Sequence, residues 1–194
     1  MEELLMKTCS WAGRSEEEQV YHDTEWGVPC HDDTVLFEFL LLETLQAGLS
    51  WTLIMKRREG LRDLLDNFSI DAVAGYGEEK EKVLLTDPRM IRNRLKVKSL
   101  ARNAKAFKAI QNEFGSFDAY IWGFTNGKPV IGHWQKETEI PATSPLSDVI
   151  SKDLKKRNFT FVGSTIIYSF LQAIGIINDH VVTCPRYKEL VMNK

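Results

Sequence analysis

Two carboxylates on one apolar segment are the first residues in this sequence of 194 whose type and spacing could do chemistry. Glu38 and Glu43 both lie in the stretch from Asp33 to Trp51. That stretch reads as a helix opening at an aspartate cap and stopping at Gly48, where a C-terminal glycine belongs. It is apolar almost all round, which predicts a helix buried in the middle of a helical domain. At about 100° per residue, Glu43 falls in line with Leu36, Leu40 and Ala47, whereas Glu38 falls roughly opposite Leu36, where a solvated edge is available. A carboxylate on an apolar stripe is costly unless something pairs with it. Two readings follow for Glu43: a structural hydrogen bond to a helix end or a tyrosine, or a pocket acid that awaits a ligand.

A second group could hold metal. His180 and Cys184 stand four positions apart, and Cys9 and His22 lie near the other end of the chain. Two thiolates and two imidazoles suit tetrahedral zinc and leave no open position for catalysis, so such a site would clip the chain ends together. The spacing of Cys9 and His22 fits no zinc-finger pattern, and four unrelated core residues are the competing reading. Cys30 is left over as an unpaired thiol. Three cysteines argue against a disulfide framework.

Charge is segregated. The net charge is −2, yet from Arg89 to Lys108 there are eight basic residues and no acidic one, while acids concentrate at Glu16 to Glu18 and Glu78 to Glu81. A basic segment of this kind can form a phosphate-facing surface despite an acidic total. No stretch has the apolar length of a membrane span, and the acidic first residues do not resemble a signal peptide, so a cytoplasmic protein is expected.

The elements that must position these groups read as helices. Tyr21 to Gly27 shows no clean period and reads as loop or short helix. Ser50 caps a helix with Ile54, Leu61, Leu64 and Leu65 on one face. A helical turn covers Ile70 to Ala74, and a helix from Glu78 to Thr86 is interrupted at Asp87-Pro88. The basic segment re-enters a helix from about Val97 to Glu113, with a further helix over Phe117 to Phe124. Thr125 to Thr143 reads as irregular. Ser144-Pro145 starts a helix that ends at Lys155-Lys156-Arg157, and a last buried helix runs from about Ser164 to Ile174. No alternating run of four residues occurs, which predicts an all-α protein.

Several motifs in one order carry a resemblance: Cys-x-Trp at Cys9, Tyr-His-Asp-x-Glu-Trp-Gly from Tyr21, Leu-Glu-x-x-Gln-Ala-Gly-Leu-Ser-Trp from Leu42, Ile-Arg-x-Arg-x-Lys from Ile91, Leu-Lys-Lys-Arg-x-Phe-x-Phe-Val-Gly from Leu154 and Asn-Asp-His-x-x-x-Cys from Asn178. Together they resemble the bacterial 3-methyladenine DNA glycosylase I family, a branch of the helix-hairpin-helix DNA glycosylases. The resemblance implies one glycosylase domain over 1–194, with a helix-hairpin-helix core lobe and a lobe formed by both termini. It implies one structural zinc ion per chain on Cys9, His22, His180 and Cys184. It places base recognition and catalysis on Glu43, Tyr21 and Trp51, with Gln46 beside them. Gly48 and Leu49 match the loop that fills the gap left by a flipped base, and Arg92, Arg94 and Lys96 would face DNA. The implied activity is base-excision repair: hydrolytic release of 3-methyladenine from double-stranded alkylated DNA by a monomer.

The chemistry agrees with the residue types. Methylation at N3 makes adenine a cation that leaves neutral, so selection of the base matters more than general-base power. Aromatic faces and one carboxylate supply that selection. No lysine stands in a motif as an imine-forming nucleophile, which implies no strand cleavage. A non-catalytic helix-hairpin-helix DNA-binding module and a zinc-dependent nucleoside hydrolase are the rival readings. The sequence departs from the family at Glu18, where a tyrosine is common, and at Arg89 and Leu95, where glycine is common and would allow positive φ near phosphate.

Overall fold

The computed structural model describes residues 8–192, and residues 1–7, which bear on the signal-peptide reading, lie outside them. The described residues form ten α-helices: α1 (Glu16–Thr24), α2 (Asp33–Gln46), α3 (Trp51–Leu64), α4 (Ile70–Ala74), α5 (Glu78–Thr86), α6 (Arg94–Phe114), α7 (Phe117–Gly123), α8 (Pro145–Lys156), α9 (Ser164–Ala173) and α10 (Pro185–Met192). None is long and apolar enough to cross a membrane.

Helix α2 is the axis of the fold, with α3, α6, α7 and α9 packed around it. Its Leu36, Phe37, Leu40, Leu41, Leu42 and Leu45 are wholly buried, and each such side chain contributes about 1.5–3 kcal/mol of burial. The capping aspartate is Asp32, whose carboxylate accepts from Thr34 N and Val35 N. Asp33 instead reaches across to α7, where it accepts from the backbone N–H of Phe117 and of Asp118 at 2.9 and 2.8 Å. One aspartate starts the central helix and its neighbour starts another.

The sequence expectation of a solvated Glu38 is corrected. Glu38 is buried, and its Oε1 accepts from Arg58 Nε and Arg62 Nη2, both at 2.7 Å. Arg58 also holds Glu25 through two bonds and lies over the Phe39 ring. Helical angle placed Glu38 correctly off the Leu36 stripe, but α3 covers that side and supplies the cations.

Other boundaries shift for local reasons. The segment around Tyr21 is a helix, started by the Ser15 hydroxyl accepting from Glu18 N. Helix α6 begins three residues earlier than expected because Asn93 Oδ1 caps Leu95 N and Lys96 N. Helix α10 is an element beyond those expected from the sequence. The region read as irregular contains Val130–Ile131, which pairs in parallel with Ile177–Asn178. Two residues per strand are too few to show alternation, so this small sheet was invisible as a pattern. Gly175, just before the second strand, has φ +72, and a Cβ there would meet the Val28 carbonyl carbon at 2.2 Å. Only glycine lets that turn seat against the segment that leads into α2.

Two helix pairs are joined by seven-residue hairpins. In the first, α5 to α6, neither Arg89 nor Leu95 has a positive φ. Leu95 is the second residue of α6, so the bend forms without the glycines that the resemblance implies. In the second, α8 to α9, Asn158 and Phe161 take positive φ, Ser151 Oγ donates to Val162 O, and Asn103 clamps Thr160 through both its amide atoms. Gly163 precedes α9 and offers no side-chain acceptor to its first N–H groups.

Candidate active site and metal centre

Helices α1, α2 and α3 meet around a cavity of about 390 Å³ lined by Trp11, Glu18, Tyr21, Trp26, Glu43 and Trp51, with Arg14, Gln46, Glu137 and Gln172 also on its lining. Helix α2 contributes Glu43, α1 contributes Tyr21, and Trp51 opens α3 behind the Ser50 cap. Tyr21 and Trp51 lie 5.4 Å apart at 52°, and Trp11 lies 6.1 Å from Tyr21 and 5.0 Å from Trp26. The result is a slot with aromatic walls.

Glu43 is 4% exposed, and no hydrogen bond to it occurs among the described residues. Desolvation alone pushes its carboxyl up to about 8. The contrast with Glu38 is direct. Both acids sit on α2 and both are buried, but Glu38 has two guanidinium partners and Glu43 has none. The fold itself accounts for the first acid, and the second is left as a candidate for a ligand. Tyr21 is held as the neutral phenol, first by burial and then by the nearby Glu43 charge.

The loop after α2 is braced on itself. Gln46 Nε2 donates to Leu49 O at 2.5 Å and Leu49 N donates to Gln46 O at 2.6 Å, while Gly48 takes φ +76. Gly48 is exposed and Leu49 half-buried at the cavity end of α2. Gln46 therefore spends its amide on the loop.

The basic residues divide. Arg92 and Arg94 are exposed, with no ion pair among the described residues. Lys96 is corrected as a DNA contact: it is 5% exposed, and its ammonium donates to Leu45 O and Ala47 O, both at 2.7 Å. The last carbonyls of a helix have no intrahelical partner and draw a cation. Arg89 is tied to Asp87 at 2.8 Å, which compromises it as a phosphate ligand.

The four metal-ligand candidates come together. Sγ of Cys9 and of Cys184, Nε2 of His22 and Nδ1 of His180 lie within 4.8 Å of one another, all buried. Cys184 Sγ is 3.5 Å from His22 and 3.6 Å from His180, and Cys9 Sγ is 3.8 Å from His180. Tetrahedral zinc bonds of about 2.0–2.3 Å set neighbouring ligand atoms roughly 3.3–3.8 Å apart, so these three contacts match the ion, and the wider set would draw in slightly around it. The outward nitrogens are occupied too. His22 Nδ1 meets Asp23 Oδ1 at 2.7 Å, and His180 Nε2 meets Trp26 O at 3.0 Å. Such partners fix each imidazole tautomer and orientation. The Cys184 thiol is drawn far below its ordinary value by the Cys9 thiol and the two imidazoles. Trp26 serves both places, since it lines the cavity and packs edge-on at 4.6 Å to His180.

Asp179, between Asn178 and His180, is fully committed. It accepts from Trp134 Nε1 at 2.6 Å, Tyr168 Oη at 2.5 Å and Gln172 Nε2 at 2.7 Å. Trp11 and Trp26, members of the Cys-x-Trp and Tyr-His-Asp-x-Glu-Trp-Gly motifs with no expected role of their own, also line the pocket. Their nearness to Cys9 and His22 in sequence was the available signal. Glu18, flagged only as a departure, faces the cavity and not solvent.

A sequence model of the methyladenine glycosylase family matches residues 11–187. The chain is 42% identical over 182 residues to DNA-3-methyladenine glycosylase 1 of Escherichia coli (strain K12), covering 94% of this chain and 97% of that protein. A crystal structure of a 3-methyladenine DNA glycosylase I superposes with TM-score 0.89 at 41% identity, covering 92% and 98% of the two chains. A variant of a 3-methyladenine DNA glycosylase I solved in complex with 3-methyladenine superposes with TM-score 0.89 at 30% identity, covering 93% and 97%.

Proposed function

The chain belongs to the methyladenine glycosylase family, and from that premise we propose that it releases 3-methyladenine from alkylated duplex DNA by flipping the damaged nucleotide into the cavity between α1, α2 and α3. The observation that carries this reading is Glu43, a desolvated carboxylate with no partner among the described residues, facing an aromatic slot. A cationic base supplies what the slot lacks. Its ring stacks against Tyr21 and Trp51, and its N–H edge donates to Glu43, so charge and hydrogen bond are satisfied together. An undamaged neutral base brings no such compensation and is harder to unstack.

The glycosidic bond of the cation is already weak. Water adds at C1′, the C1′–N9 electron pair passes to the base, the base leaves neutral, and the water's second proton goes to solvent. Glu43 selects the cationic base and holds it against the aromatic walls, so that C1′ is presented to water. Leu49, carried by the turn at Gly48, fills the vacated stack. The exposed Arg92 and Arg94 and the uncapped start of α9, flanked by Lys155 and Lys156, supply phosphate contacts. Zinc on Cys9, His22, His180 and Cys184 would have no open position and would hold the chain ends beneath Trp26, a structural role.

The test is release of free base from methylated duplex DNA, with products separated and identified. Release of 3-methyladenine by the natural protein, lost in Glu43→Ala with DNA affinity kept, supports the reading. Binding without release points to a DNA-binding module, and turnover of free nucleosides that needs zinc points to a nucleoside hydrolase.

A further inference from the structure

Glu18 stands one helical turn before Tyr21 on α1 and is wholly buried. Its Oε2 accepts from the Thr52 hydroxyl at 3.1 Å, which ties it to α3 beside Trp51. Its Oε1 is buried and has no hydrogen-bond partner among the described residues. No ion pair reaches it among them either; Arg14, which also lines the cavity, is exposed and makes no ion pair among the described residues. A buried acceptor in this state weakens the folded chain, and such groups in native structures call for an explanation. A tyrosine, which the resemblance led us to expect here, would instead have extended the aromatic wall.

Three carboxylates line the cavity: Glu137, which is engaged by the Ser10 hydroxyl, and two buried ones from two helices, Glu18 on α1 and Glu43 on α2, neither of which has an ion pair among the described residues. Burying two acids whose polar atoms are not all paired is costly in one small cavity. A flat cation that donates an N–H to each acid supplies the partner that each lacks. A base with one N–H relieves only one acid. An exocyclic amine on a purine carries two N–H bonds about 120° apart, so one amine can serve both sides of the slot.

We propose that Glu18 is a second base-recognising carboxylate, whose free oxygen accepts the N–H of the exocyclic amine that Glu43 does not take. This rests on the base-binding reading above and extends it. The pocket then selects cationic purines whose amine keeps both hydrogens, a requirement that a single-carboxylate pocket does not impose.

The experiment measures binding of free 3-methyladenine and of N6,3-dimethyladenine, which retains one amine hydrogen, through quenching of tryptophan fluorescence. The natural protein is compared with Glu18→Ala and, as the variant that keeps the volume, Glu18→Gln. The natural protein should prefer 3-methyladenine by about tenfold, the value of one hydrogen bond to a charged group. Glu18→Ala should bind 3-methyladenine about tenfold more weakly and lose most of the preference. Glu18→Gln should show the same loss of preference in smaller measure. A preference that stays the same in both variants overturns the proposal and leaves Glu18 as wall only. Base release from methylated DNA by the natural protein is scored alongside. If it releases 3-methyladenine while the preference is unmoved by the variants, only the role of Glu18 falls. If it neither binds nor releases the base, the pocket reading falls and takes this proposal with it.

Discussion

The ammonium of Lys96 lies 2.7 Å from the carbonyl oxygen of Ala47, the residue that closes α2 and opens the Gly48–Leu49 loop. A residue of the basic segment thus grips the end of the helix that carries Glu43. We expect Lys96→Met to leave two helix-terminal carbonyls without a donor and to lower stability by about 1.5–3 kcal/mol. Its effect on function should differ from that of a phosphate contact. Free-base binding should hold and the salt dependence of DNA binding should not change, while base release falls because the loop is misplaced. A lesion already unpaired in a bulge should recover much of the rate, since less work is then asked of the loop. Loss of DNA affinity with a shallower salt slope would instead make Lys96 a phosphate ligand.

Glu43 should make stability depend on pH. Its folded-state value is raised to about 8 by desolvation, whereas a solvated glutamate titrates near 4.3. Between these values the unfolded chain has lost the proton and the folded chain still holds it. The contribution is therefore fully present below about pH 4.3 and fades as pH rises through about 8. Glu43→Gln removes that fade. The stability gained by the variant over the natural protein should grow from pH 5 to pH 8 in thermal melts, and a difference flat in pH would refute the assignment.

The zinc clip is checked by metal content. Protein purified without chelator should contain about one zinc per chain, and Cys184→Ala should contain much less and melt at lower temperature. The affinity of that variant for free base should fall less than its stability, because Cys184 does not line the cavity. Natural protein without zinc would remove the ion from the account.

Arginine substitutions separate paired from unpaired charges. Arg94→Ala should weaken DNA binding uniformly across sequences and reduce the salt slope by about 1. Arg89→Ala should have the smaller effect, because Asp87 already engages Arg89. Equal losses would show that the Asp87 pair opens when DNA binds.

The sequence by itself determined much of this protein. The apolar run from Leu36 to Leu45 placed α2 at the centre, and helical angle put Glu43 on a buried stripe, because both follow from local periodicity. Cap residues fixed the starts of α3 and α8 for the same reason. The ordered motifs brought Tyr21, Glu43 and Trp51 into one expected site. What periodicity cannot contain is what arrives from another element. Only the tertiary structure gave Glu38 its two arginines from α3 and turned Lys96 inward to the carbonyls of α2. It also gathered Cys9, His22, His180 and Cys184 from opposite ends of the chain within ligand distance, and it closed Glu18 into the cavity with one oxygen unpartnered. In each case burial and pairing are settled by the neighbour that packs against the residue, and sequence spacing does not encode that neighbour.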